Sequence, residues 1–322
     1  MSVPINNANG MLSDDIERND HGLSVQRTGS LSMDPVMFEK LFLSPQTPVH
    51  GQLRQMFGVP TPLALIGFGI SLTPLACCLM GWRGSDNQKM GAANIGAYFW
   101  FGGAAVLLAA IGEFLLGNTF AFTVFAGYGA WYLTYAATLQ PFYGAAAAYA
   151  PVPGYYSNLG EATVSGQLTP GYTASFGFVI VFMTVLSLIF LVCASRVNIP
   201  FFLLLLAVTV AFALLSAALF IESQAIHLIG EAGTLEGAGD NAAAVISLAK
   251  GEAKLKITLR LVVGAGASFF AASMLNWFLT LAIMLAVVDF PFNVQVGDLS
   301  TVMHSRTQVE RAKRAAAVQN GR

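Results

Sequence analysis

The charges of this chain are spaced so that six long stretches contain none, and that spacing constrains the fold more than any motif does. No Asp, Glu, Lys or Arg falls between Arg54 and Arg83, between Lys89 and Glu113, or between Glu113 and Glu161. The same holds from Glu161 to Arg196, from Arg196 to Glu222 and from Arg260 to Asp289. A membrane helix needs about 20 apolar residues to cross roughly 30 Å of hydrocarbon. Each interval holds one such stretch: Pro62–Trp82, Ala93–Leu116, Phe120–Tyr143, Thr173–Ser195, Pro200–Ile221 and Leu261–Val288. The remainder of the third interval, APVPGYYSNLG, is broken by Pro151, Pro153 and Gly154 and reads as a loop. A transmembrane barrel would alternate apolar and polar residues, and runs such as FVIVFMTVLSLIFLV do not. The expectation is an all-α polytopic membrane protein with six transmembrane helices.

Composition agrees. Only 10% of the residues are charged and 55% are hydrophobic, whereas soluble domains carry roughly 25% charge to keep their surfaces hydrated. A formal net charge of −1 gives no reason to expect a nucleic-acid partner. Cys77, Cys78 and Cys193 all lie in apolar runs, as reduced thiols packed among helices do. Residues 1–55 are polar and lack the apolar core of a signal peptide, so they read as a disordered tail. The six-helix domain is expected over 56–290 and a second tail over 291–322.

Ten of the 16 Lys and Arg residues fall in the two tails and at Arg196, in the connection between spans four and five. The positive-inside rule then places both ends in the cytoplasm. Lys250, Lys254, Lys256 and Arg260, before the sixth span, run against that assignment.

Chemistry-bearing residues are few. No metal cluster, catalytic triad or nucleotide-binding loop is present; the Gly264–Ser268 stretch GAGAS lies inside a span. Small residues four apart (Gly67 and Ser71, Ala126 and Ala130, Gly264 and Ser268) predict close helix approach, while Gly102 pairs with Val106 and misses the pattern. Glu113 is the only acid inside an expected span. Ionisable groups at that depth are costly and face an interior or a wet cavity, which makes Glu113 a candidate proton carrier. A snorkelling or helix-joining role is the alternative. Asn118 and Thr119 are placed to cap the third span, whose free N–H groups also attract anions. Thr61 and Pro62 are placed likewise at the start of the first.

Two stretches carry a family resemblance. Val59–Phe68, VPTPLALIGF, resembles the Asn-Pro-Ala-Pro-Leu-Gly-Leu opening of the acetate uptake transporter family, keeping Pro60, Pro62, Leu63 and Gly67-Phe68. It departs at Val59, Thr61 and Ala64. Glu113–Thr134, EFLLGNTFAFTVFAGYGAWYLT, is similar to the family's second signature at Glu113, Gly117, Asn118, Thr119, Phe120, Thr123, Phe125, Tyr128 and Gly129. PFNVQVGDLS near the end resembles the fungal members. The resemblance implies six helices around a pore in each protomer, a homo-hexamer, and a plasma-membrane location. It also implies an apolar constriction made by Phe68, Tyr128 and a third residue falling on Val208.

The function so implied is passage of acetate or another short monocarboxylate, with a proton or through a narrow anion channel, without a cofactor. Two further readings stay open: export of ammonium or ammonia, since aromatic faces also hold cations, and a membrane sensor or scaffold that does not transport. The family's connection between spans five and six is short. Here Gln224–Arg260 is inserted, an Ala-rich segment that suits either a surface helix or an extension of span six, with His227 facing solvent.

Overall fold

The computed structural model describes residues 58–87, 90–149, 166, 169–292, 294 and 296–297. The tail expected to be disordered, most of the second tail, and most of the loop after the third span lie outside these residues.

Among the described residues, six long helices follow one another: α1 (Thr61–Leu79), α2 (Ala92–Leu115), α3 (Thr119–Leu139), α4 (Pro170–Ala194), α5 (Ile199–Gly237) and α6 (Asn241–Val287). No strand ladder is present among the described residues. All but α3 are long and apolar enough to cross a membrane. α3 has the length, at 21 residues, but its Tyr, Trp and Thr side chains lower its hydropathy. Those aromatics point inward: Tyr128, Trp131, Tyr132 and Tyr135 are all buried. Large apolar side chains face outward instead, among them Trp100, Leu108 and Phe114 on α2 and Phe182, Leu188 and Val192 on α4. An outside of this kind is stable only against lipid or other apolar chains. The protein is an integral membrane protein.

The helices pack in a sequence that closes on itself. α4 lies on α5, α5 on α6, α6 on α1, α1 on α2 and α2 on α3. Ring contacts return α3 to α4 and α5, with Tyr128 against Phe190 and Trp131 edge-on to Phe212 at 5.4 Å. Glycines set the closest approaches. A Cβ on Gly67 would sit 2.4 Å from the Phe101 carbonyl oxygen, and one on Gly102 would sit 2.7 Å from Ser71 Oγ. Gly102 therefore joins Gly67 and Ser71 in the α1–α2 contact, although its own four-residue spacing gave no hint of it. On α6 the tight contact falls on Gly266, against Leu79, rather than on Gly264, which meets only Leu214 at an ordinary distance. On α3 it falls on Gly129, against Leu107, while Ala130 is exposed. Between Tyr98 and Ala105 α2 widens into π-helical turns, a local loosening where the packed Gly102 lies.

Three sequence expectations are decided here. First, of the two forms left open for the inserted segment Gln224–Arg260, the extension of span six is the one adopted, and span five extends with it: α5 and α6 run on as an antiparallel helical hairpin, turning between Gly237 and Asn241. Gly239 adopts φ 86° there, and the Asp240 carboxylate accepts from Ala243 N at 3.1 Å to cap α6. Small buried residues, Ala225, Ala232, Ala244 and Gly251, let the arms close; His227 is exposed. Second, Thr61 does not cap α1: the helix starts on Pro60, which supplies no side-chain cap, and Thr61 is its first residue. Third, Cys193 is exposed on the outside of α4, and Cys77 and Cys78 are half-buried; all three are free.

Candidate functional site

Two groups of side chains stand out inside the bundle. The first is a buried carboxyl at the junction of α1, α2 and α3. α2 ends in a turn in which Gly117 takes φ 75°, a left-handed conformation that glycine adopts without strain. Asn118 N then bonds back to the Glu113 carbonyl at 2.9 Å, which brings the Asn118 side chain beside that of Glu113. Asn118 Nδ2 donates to Glu113 Oε2 at 2.9 Å, and its Oδ1 accepts from Ala121 N to cap α3. The other carboxyl oxygen, Oε1, accepts from the Thr61 hydroxyl at the start of α1. Glu113 is 2% exposed, so it does not snorkel to an interface. Thr119, by contrast, is exposed on the first turn of α3 and takes no part in the cluster, and Leu63 is exposed on α1. Pro60 packs on Gly112, and Pro62 is buried in the first turn.

The second group is a small cavity of about 20 Å³, room for one water-sized molecule. Phe68 of α1 and Tyr128 of α3 meet across it edge to face, with ring centroids 5.6 Å apart. The wall on α5 is Phe201, Leu204 and Leu205, and α6 contributes Asn276. Tyr128 is held from behind, its hydroxyl donating to Ser187 Oγ of α4 at 3.0 Å. Thr61 and Phe68 are seven residues apart on one helix, about 10 Å along its axis. The carboxyl cluster thus lies about two turns from Phe68 and one turn from Ala64 at the cavity's near edge, toward the end of the bundle where α1 begins.

Phe68 and Tyr128 are brought together as the resemblance implied. Val208 is buried on the same helix as the cavity's α5 wall but is not among the lining residues. Leu205, one turn earlier, stands at the cavity. Both positions face inward on α5, so burial alone does not choose between them; the register against α1 and α3 does.

Sequence reasoning passed over two residues. Asn276 and Ser187 are each 0% exposed. The signal for Asn276 was present, since a lone amide in an apolar span is uncommon and normally bonds across helices or lines a cavity. Ser187 gave no such signal, because serine is frequent in membrane helices.

A family model described as GPR1/FUN34/yaaH matches residues 42–301. The chain belongs to the GPR1/FUN34/yaaH family. Among its relatives is Protein alcS of Aspergillus fumigatus, 37% identical over 87% of this chain and 89% of that protein. The Acetate transporter protein patA of Aspergillus clavatus is 27% identical over 76% of this chain and 79% of its own length. A solved structure described as the bacterial acetate channel SatP covers 71% of this chain and 93% of its own, at 19% identity and a TM-score of 0.41. The family match spans every helix described above, from α1 through α6.

Proposed function

We propose that this family member is a transporter, rather than an enzyme, that passes acetate or another short monocarboxylate across the membrane through a path inside each protomer. The Phe68–Tyr128 contact over a small apolar cavity carries the reading: two aromatic rings meet at the centre of a ring of helices. A hydrated ion cannot pass such a contact without shedding water, which is how an apolar constriction selects. Relatives named as acetate transporters support the substrate class. Glu113, held by Thr61 and Asn118 toward one mouth, serves to exchange a proton with the carboxylate as it passes that mouth.

All six helices cross the bilayer in this reading. Both termini are cytoplasmic, supported by the distribution of Lys and Arg, and the carboxyl cluster therefore lies toward the cytoplasm. A homo-hexamer in the plasma membrane completes the proposal, in keeping with the family resemblance.

The test is uptake of labelled acetate into liposomes holding the purified protein, with and without an inward proton gradient. Gradient-stimulated uptake is expected, cut at least tenfold in Glu113→Gln. Uptake no faster than in protein-free liposomes contradicts the reading and turns attention to ammonium.

A further inference from the structure

Of the side chains lining the cavity, only Tyr128 and Asn276 are polar, and none is charged. The Tyr128 hydroxyl proton is already engaged by Ser187. Asn276 differs. Its Nδ2 donates to the Leu65 carbonyl of α1 at 2.8 Å, which fixes the orientation of the amide, because a carbonyl meets only a donor. Gly69 makes this approach possible: a Cβ there would lie 2.7 Å from Nδ2 and 3.0 Å from the Trp277 ring. The Asn276 Oδ1 that remains is buried and has no partner among the described residues. Buried acceptors are normally satisfied. An unpaired one on a residue that lines an apolar cavity is a place for a donor that arrives with the solute.

We infer that the solute passes Asn276 as a neutral hydrogen-bond donor: for a short carboxylate, the undissociated acid, its hydroxyl donated to Oδ1. This rests on the carboxylate reading above. A carboxylate anion at this point would meet a carbonyl oxygen and hydrocarbon, with no cation and no free hydroxyl to replace its lost hydration. The acid carries no net charge, and its one donor matches the one open acceptor. The carboxylate takes up a proton at the entry mouth, crosses as the acid, and returns the proton to water on leaving. One proton accompanies each carboxylate, bonded to it rather than moving along a separate relay, and no net charge crosses.

The experiment uses full-length protein in liposomes loaded with a pH-sensitive dye, with protein-free liposomes subtracted. In wild type, the protein-dependent flux at fixed total acetate is expected to follow the concentration of acid. It should acidify the lumen one proton per acetate and be indifferent to an imposed membrane potential. Acetamide, neutral and with an N–H donor, is expected to pass as well, and nitrate, an anion without a donor, is not. Asn276→Leu, which keeps the branching at Cγ and removes the acceptor together with the Nδ2 donor, is expected to lower acetic acid and acetamide flux together by about tenfold, the ratio one neutral hydrogen bond sustains.

Acetate flux that follows the anion or responds to membrane potential overturns the inference while leaving acetate transport standing. So does passage of nitrate, or an Asn276→Leu protein that folds and transports at the wild-type rate. If that variant does not fold, the wild-type potential and acetamide measurements decide alone. Ammonium flux without acetate flux contradicts the carboxylate reading and the inference with it.

Discussion

Thr61 stands where the family's opening stretch has alanine, and Val59 where it has asparagine. The two departures look like simple erosion of a motif until Thr61 is seen donating to Glu113. A buried carboxyl oxygen deprived of a hydroxyl loses about 1–3 kcal/mol. Thr61→Val is therefore expected to lower thermal stability in detergent, and Thr61→Ser to restore most of it. In a Glu113→Gln background the same Thr61→Val change should cost less, which a double-mutant cycle of melting temperatures would measure. Equal losses in both backgrounds would show that the hydroxyl does not act through Glu113. Ser187 supports Tyr128 from α4. Ser187→Ala should leave the Tyr128 ring in place but free to turn, raising passage of solutes larger than acetate about severalfold; an unchanged size cut-off would contradict this. The sequence exposed Glu113 because one acid in a charge-free run is conspicuous. It hid Ser187, whose role is decided entirely by which helix faces it.

At the scale of elements, the spacing of charges located every helix of the bundle. Its failures came at helix ends, where charge is a poor guide. α5 runs 39 residues and α6 runs 47, about 58 and 70 Å, roughly twice the hydrocarbon thickness. A span read from charges stops at Glu222 and Arg260, but the helices continue because Ala and Gly let them pack on each other. A Cβ on Gly251 would lie 2.7 Å from the Ile229 side chain and 3.2 Å from the Ala225 carbonyl oxygen. No residue of the hairpin lines the cavity. Replacing residues 226–256 by a short turn is expected to leave acetate flux per folded molecule within about twofold, measured in the same liposomes; loss of flux from a folded variant would give the hairpin a transport role. Helix contacts are less forgiving. Gly67→Ala drives a methyl into the Phe101 carbonyl, and because that obstacle is backbone the α1–α2 contact must open. A large loss of monodisperse protein is expected, whereas Gly264→Ala, which meets only the end of Leu214, is expected to be tolerated. The small-residue pattern predicted that glycines would matter, but not which face each would present.

For the whole molecule, the fold class was legible because the bilayer leaves so few options: long uncharged runs without alternation must be helices. The location of the path was legible only through the family resemblance, since Phe68 and Tyr128 are 60 residues apart and either one alone reads as packing. The unpartnered acceptor on a residue lining the cavity, Asn276 Oδ1, required the structure. The central claim is that solute passes between Phe68 and Tyr128 inside one protomer. Its most direct test is Phe68→Cys in a background where Cys77, Cys78 and Cys193 are alanine. Acetate uptake is measured before and after a small thiol-reactive reagent. The account predicts that modification abolishes most of the uptake, that excess acetate slows the modification, and that the cysteine-free background is unaffected. Full uptake after complete modification would place the path elsewhere and contradict it.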